Sequence, residues 1–174
     1  MWLRVGRSLI IDKNRTFSKV GKASMLCQKF DQGCRSTSAF IVTIAKAKQE
    51  NNSDFYKDFL TQLKKLGDKN LGPSIGNLKK TSGTFVSKDN IDTLDKARNS
   101  RNFICHDLFK NTIRKHLLGD DFIDIDDKLL KEHIINVAKG DYIISKWDYE
   151  IGEKEPAPYS EDKYITDILR WIGI

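Results

Sequence analysis

The sequence predicts an all-α protein, an up-and-down bundle of four to five helices. Apolar residues recur every three or four positions through most of the chain, and no long stretch shows the apolar–polar alternation of a β-strand. Short polar or glycine-containing segments separate the periodic stretches, as in antiparallel bundles. A chain of 174 residues fits one domain. We therefore expect 1–174 to form one bundle, with 1–14 a peripheral segment and 152–174 a linker and closing helix.

The first helix is predicted from about Ser18 to Gln49. Gly33 and the RSTS run at 35–38 favour a kink or a split within it, because neither glycine nor serine and threonine stabilise a helix interior. Its apolar stripe contains Val20, Ala23, Leu26, Cys27, Phe30, Cys34, Phe40, Ile41, Ile44 and Ala45.

A second helix is predicted in SDFYKDFLTQLKKLG, which spans 53–67. Ser53 suits its N-cap and Gly67 its C-terminal end. Residues 67–88 hold four of the eleven glycines together with Pro73, so they are expected to form a loop with at most a short helical turn. They lack the GxxxxGK[ST] pattern of a phosphate-binding loop.

A third helix is predicted from about Asp89 to Leu118, with Asp89 or Asn90 as its cap. The acidic run DDFIDIDD follows at 120–127. Because it lacks the glycine and the final glutamate of an EF-hand loop, we interpret it as negative charge at the N-terminus of the next helix.

A fourth helix should begin near Asp126 and reach Tyr149 or beyond, with Gly140 as a place where it could bend. The segment EKEPAP then forms a linker. The chain closes with an amphipathic helix in SEDKYITDILRWIGI, at 160–174, for which Ser160 suits the N-cap.

The composition describes a globular protein, with 39% hydrophobic and 31% charged residues. No stretch has the length of a membrane span, and the opening residues lack the apolar core of a signal peptide. Three cysteines without a CxxC pair suit a reducing compartment, so a cytoplasmic location is expected. Three scattered histidines do not predict a metal site, and nothing predicts a cofactor. The net charge of +6 and the basic segment 62–80 are compatible with nucleic-acid binding.

One segment of the third helix, KARNSRNFICHDLF at 96–109, does not fit an ordinary amphipathic pattern. At about 100° per residue, Arg101 falls among apolar positions, whereas Asn102 and His106 lie on a polar stripe. A guanidinium there needs a carboxylate partner, and Asp31 or Asp95 could supply one. If that carboxylate reaches water, Arg101→Met should leave the melting temperature unchanged or raise it. On an ideal helix Arg101 and His106 point roughly 140° apart.

The run LDKARNSRNFICHDLF resembles the signature of the HEPN superfamily, which consists of small helical-bundle proteins. That signature is an arginine and a histidine with four to six residues between them, the first of which is usually polar. Here Arg101 and His106 have four residues between them, beginning with Asn102. The helix order agrees too, with Asp31 near the middle of a long first helix. Many members have a tyrosine two positions after the histidine, where this chain has Leu108. That departure puts in doubt a partnership with a nucleotidyltransferase that modifies the tyrosine.

The resemblance implies a metal-independent endoribonuclease that cleaves RNA by attack of its 2′-hydroxyl, without a cofactor. His106 would transfer protons, Arg101 would bind the scissile phosphate, and Asn102 would orient either one. It also implies a homodimer whose two motifs line one cleft, and a toxin or phage-defence role would add an antitoxin or regulatory protein as a partner. The alternative is a non-catalytic HEPN-like module that binds RNA or a protein, or a purely structural domain.

Overall fold

The computed structural model describes the backbone of residues 2–49, 54–67, 71–80, 86–108, 110 and 125–174, and the side chains of 15–48 and of the later ranges. The helices in these ranges are α1 (Trp2–Gln49), α2 (Phe55–Gly67), α3 (Leu71–Lys80), α4 (Lys88–Asn102), α5 (Asp127–Glu153) and α6 (Glu161–Ile172). Within the same ranges no residue lies in a β-strand. The predicted all-α bundle is confirmed. None of these helices is long and apolar enough to cross a membrane.

Helix α1 runs without interruption from Trp2 to Gln49, so the predicted start at Ser18 and the predicted break near Gly33 are wrong. Residues 2–14, expected to be a peripheral segment, form the first turns of this helix. Gly33 permits close packing instead of a kink, because a Cβ there would lie only 2.9 Å from Ile144 Cγ2 on α5. The hydroxyls of the serine–threonine run are tolerated where they find backbone acceptors, as Ser38 Oγ does at 3.1 Å from the Ser74 carbonyl oxygen.

Helix α3 corrects the prediction of a loop over 67–88. Leu71, Ile75 and Leu78 are buried at helical spacing, and this stripe outweighs the cost of the glycines. Pro73 lies in the first turn, where its missing N–H removes no helical hydrogen bond.

Helix caps fix the remaining boundaries. Ser87 Oγ accepts from the Asn90 N–H at 3.1 Å, so the cap of α4 is Ser87 and the predicted cap at Asp89 or Asn90 is wrong by two or three residues. The expected end at Leu118 and the expected cap Ser53 lie outside the described residues. Asp126 caps α5, because its side chain accepts from the N–H groups of Lys128 and Leu129. For this residue, the prediction that the acidic run lies at the N-terminus of the next helix is confirmed. Ser160 caps α6, as predicted.

The core lies where α1, α4 and α5 meet. Phe30, Leu94, Ala97 and Ile134 are fully buried there. Helix α5 passes through Gly140 without a break, and a Cβ at this position would overlap the Cβ of Ala97. Glycine at this position therefore lets α5 approach both Ala97 on α4, one turn before Arg101, and the ring of Phe30 on α1.

Candidate active site

The HEPN-like motif lies at a change of helix type. Helix α4 continues into a π-helical segment, Phe103–Asp107, which we call the π-turn. It is closed by the hydrogen bond from the Leu108 N–H to the Phe103 carbonyl oxygen, five residues back. Because a π-helix is wider than an α-helix, residues five apart come into register along its side.

The π-turn brings Arg101 and His106 together. Arg101 Nη1 lies 3.2 Å from His106 Nε2, so the separation of roughly 140° expected on an ideal α-helix is wrong here. A guanidinium has only donors, and therefore His106 Nε2 accepts in this contact and carries its lone pair there. One copy of the chain thus presents a cation and a proton acceptor side by side.

Asp31 on α1 is the carboxylate that pairs with Arg101. Arg101 Nε donates to Asp31 Oδ1 at 3.0 Å, and Nη2 donates to Oδ2 at 2.5 Å. Asp31 is 7% exposed, so the carboxylate of this pair is largely shielded from water, whereas the Arg101 side chain is 23% exposed. Of the two candidates from the sequence, Asp31 is confirmed, whereas Asp95 pairs with Lys79 at 2.7 Å.

The paired carboxylate governs the charge on Arg101. Burial lowers the pKa of the guanidinium, but the hydrogen bonds and the charge of Asp31 outweigh burial, so its pKa is raised above its ordinary value. With Nε and Nη2 held by Asp31, the third side of the guanidinium is directed outward. There Nη1 also donates to Asn102 Oδ1 at 3.1 Å. Asn102 and His106 are both exposed. We call Asp31, Arg101, Asn102 and His106 the Arg101 cluster.

Two cysteines adjoin this cluster, and the sequence treated them only as small core residues. Cys27 and Cys105 interact through a thiol hydrogen bond that lowers the pKa of Cys105 to about 7, against the opposing effect of burial and with help from the Arg101 charge. The same hydrogen bond, together with burial, raises the pKa of Cys27. The signal was present in the spacing: Cys27 precedes Asp31 by one helical turn, and Arg101 precedes Cys105 by one turn.

A second histidine, also missed as a site neighbour, supports the π-turn from α5. The ring of His133 stacks on Phe103, with the ring centroids 4.0 Å apart, and its Nδ1 lies 3.0 Å from the buried Ser100 Oγ. Asn136 Nδ2 donates to the same hydroxyl at 3.2 Å. Burial lowers the pKa of His133, and the neighbouring charge of Glu132 opposes that shift. The first residue of the π-turn is thereby fastened to α5.

No protein-family model, curated protein or solved structure matches this chain. The resemblance to the HEPN signature rests on the motif residues themselves. Among the described residues, no three His, Cys, Asp or Glu side chains come together as metal ligands would.

Proposed function

We propose that the chain is a metal-independent endoribonuclease with Arg101, Asn102 and His106 at its reaction centre. The observation that supports this most directly is the 3.2 Å contact between Arg101 Nη1 and His106 Nε2. It puts a phosphate-binding cation and a proton acceptor at one exposed point. A helix built for stability alone has no need of this pairing, because Asp31 already neutralises Arg101.

The chemistry follows from these atoms. His106 Nε2 takes the proton of the RNA 2′-hydroxyl as the 2′-oxygen forms a bond to phosphorus. Arg101 binds a non-bridging oxygen and stabilises the negative charge that develops on it. The bond from phosphorus to the 5′-oxygen breaks, and a protonated imidazole returns a proton to that oxygen. The products are a 2′,3′-cyclic phosphate and a 5′-hydroxyl.

Asp31 would act as a positioning residue in this reaction. It fixes the guanidinium through two hydrogen bonds, so that Nη1 meets the phosphate in one orientation. Asn102 holds Nη1 from the side and reaches the same phosphate or the imidazole.

The proposal includes a two-fold homodimer. The resemblance implies the dimer. The separation expected between Arg101 and His106 in one copy was an additional argument for it, and the π-turn removes that argument. Proton transfer supplies another, since a single imidazole cannot accept one proton and donate another at the same moment. A second His106 across a shared cleft would be the acid. Light scattering should show a dimer, and a monomer with full cleavage activity would contradict this part.

The test of the proposed function is cleavage of 5′-labelled single-stranded RNA in EDTA. Wild type should cleave and leave 2′,3′-cyclic phosphate ends, whereas His106→Ala should lose about 10²- to 10⁴-fold in rate and melt like wild type. Asp107→Asn is the matched control, because Asp107 is the exposed neighbour of His106 and forms a 3.4 Å pair with Lys110. It should cleave normally.

The alternatives give different results in that assay. Tight RNA binding without cleavage would identify a binding module, and a requirement for magnesium or 5′-phosphate products would exclude the mechanism. A ribonuclease without restraint is toxic to its cell. We therefore include in the proposal an antitoxin or regulatory protein that restrains the activity, as in a toxin or phage-defence effector.

A further inference from the structure

A cavity of about 210 Å³ adjoins the Arg101 cluster, between the first residues of α3 and one side of α4. Asn102 belongs to both the cavity and the cluster. The cavity is lined by Leu71, Gly72, Arg98, Asn99 and Asn102. It is smaller than the sites that hold drug-sized ligands and suits a single flat ring system such as a nucleobase.

The polar groups of this cavity match the hydrogen-bonding edge of a base. Asn99 and Asn102 each offer an amide with a donor end and an acceptor end. Asn102 Oδ1 already accepts from Arg101 Nη1 at 3.1 Å, which leaves its NH₂ group for a ligand. In the parts of the chain that the structure describes, no group hydrogen-bonds to the Asn99 amide.

Arg98 adds a positive charge at the edge of the cavity. Its Nη2 lies 3.5 Å from Asp95 Oδ1, while the other oxygen of Asp95 lies 2.7 Å from Lys79 Nζ. Because Asp95 is shared with Lys79 and its contact with Arg98 is long, Arg98 keeps donors that a sugar or phosphate oxygen can use.

We propose that this cavity binds one nucleobase of an RNA strand, beside the phosphate held by Arg101, and that Asn99 reads the base. The inference rests on the proposed function and deepens it, because Asn102 joins the base site to the reaction centre. Single-stranded RNA is read in this way, by hydrogen bonds to the edges of splayed-out bases. The expected consequence is a preference for one base at one position next to the cleaved bond.

The first test is cleavage of a set of single-stranded RNAs that differ in the base on either side of one cleavable bond. Wild type should prefer one base at one of these positions by about 5- to 100-fold. Asn99→Ala should lose that preference through a higher KM, with kcat little changed, since Asn99 does not touch Arg101 or His106. Lys96→Ala is the matched control, because Lys96 is exposed on the same helix and does not line the cavity.

A binding assay separates failure of this inference from failure of the proposed function. Four fluorescent 2′-O-methyl hexanucleotides, one for each base, cannot be cleaved by 2′-hydroxyl attack. Wild type should bind one of them about 5- to 100-fold more tightly than the others, and Asn99→Ala should bind all four alike. That result supports the base site even if wild type cleaves no RNA. Equal binding of all four by wild type, or a preference that survives in a folded Asn99→Ala protein, overturns it.

Discussion

Two of the ion pairs of helix α1 lie on opposite faces of the helix, and they differ in how the cation uses its remaining donors. On one face Asp31 pairs with Arg101 of the π-turn region. On the other, Lys29 Nζ lies 2.5 Å from Oδ2 of Asp141 on α5, a carboxylate that is 1% exposed. Because Lys29 and Asp31 are two residues apart, they point about 200° apart around the helix. Each pair joins α1 to a different neighbour.

The two pairs differ in what the cation does with its remaining donors. Lys29 Nζ also donates to Ser145 Oγ at 3.0 Å and to Tyr164 Oη at 3.1 Å, and the Tyr164 hydroxyl itself donates to Asp141. Burial and the charge of Asp141 raise the pKa of Tyr164, which keeps this hydroxyl protonated. The donors of Lys29 are thus used within the protein. The remaining donor group of Arg101, Nη1, instead donates to two exposed side chains, which a substrate can displace. We call Lys29, Asp141, Ser145 and Tyr164 the Lys29 cluster.

The largest effect should come from breaking the Arg101 pair. Arg101→Met leaves the Asp31 carboxylate, 7% exposed, without its cation, and this should lower the free energy of unfolding by about 3–5 kcal/mol. From the sequence, an unchanged or higher melting temperature is expected on the condition that the carboxylate reaches water, and the 7% exposure of Asp31 does not meet that condition. Cleavage should be lost as well. Urea denaturation and the RNA assay measure the two effects.

A double variant then separates stability from activity at the same site. Asp31→Leu combined with Arg101→Met replaces the pair by apolar side chains, a change that is often neutral or stabilising. The double variant should regain most of the stability and stay inactive. A stable double variant that still cleaves RNA would show that the Arg101 cluster only stabilises the fold, as the Lys29 cluster does.

A smaller effect is expected on the other face of α1. Lys29→Met removes the cation from Asp141 but leaves the hydrogen bond from Tyr164, so the free energy of unfolding should fall by about 1–3 kcal/mol. RNA cleavage per folded molecule should match wild type, because the Lys29 cluster does not contact the Arg101 cluster. Loss of cleavage in a folded Lys29→Met protein would show that the ion pair on this face of α1 is also needed for cleavage.

Most of the fold could be predicted because helices with one apolar face leave a clear period in the sequence. Two of the failed predictions have the same origin. Glycine and proline were weighted above the stripe of Leu71, Ile75 and Leu78 in α3, and Gly33 was weighted above the packing that it allows in α1. Tertiary packing determines whether a helix tolerates glycine or proline at such positions, and local helix propensity does not include that packing.

At the candidate site, the sequence predicted the ion pair of Arg101 but not its contact with His106, which depends on backbone geometry. A guanidinium among apolar residues must find a carboxylate, and Asp31 is that carboxylate. The contact between Arg101 and His106 depends on the π-turn, which a fixed projection of 100° per residue cannot represent. The stacking of His133 on Phe103 was equally invisible, because it joins positions on two helices that are thirty residues apart.

The reactivity of Cys105 should report the charge in the Arg101 cluster. Its pKa of about 7 means that its alkylation by iodoacetamide should rise with a midpoint near pH 7. Cys34, whose pKa is raised by burial, is the internal comparison and should react far more slowly. In the Asp31→Leu, Arg101→Met double variant the midpoint should move up slightly, because the charge of Arg101 lowers this pKa by more than the charge of Asp31 raises it. Intact and peptide mass spectrometry assign the modified cysteine.

A midpoint above pH 8 in wild type, with no change in the double variant, would contradict this prediction. That result would mean that the positive charge of Arg101 does not lower the pKa of the Cys105 thiol.

The smallest effect concerns His133, which fastens the π-turn to α5. Burial holds the pKa of its ring below the ordinary value of about 6.5 in the folded state. The unfolded chain therefore binds more protons between the two pKa values, so this contribution to stability is complete above about pH 6.5 and decreases as the pH falls below it. His133→Gln keeps a polar group that can reach Ser100 but has no titrating ring. The melting temperature of wild type should therefore fall more steeply than that of His133→Gln between pH 6.5 and pH 5. Parallel slopes would show that protonation of His133 does not loosen the π-turn, and that the stacking on Phe103 holds equally well with a charged ring.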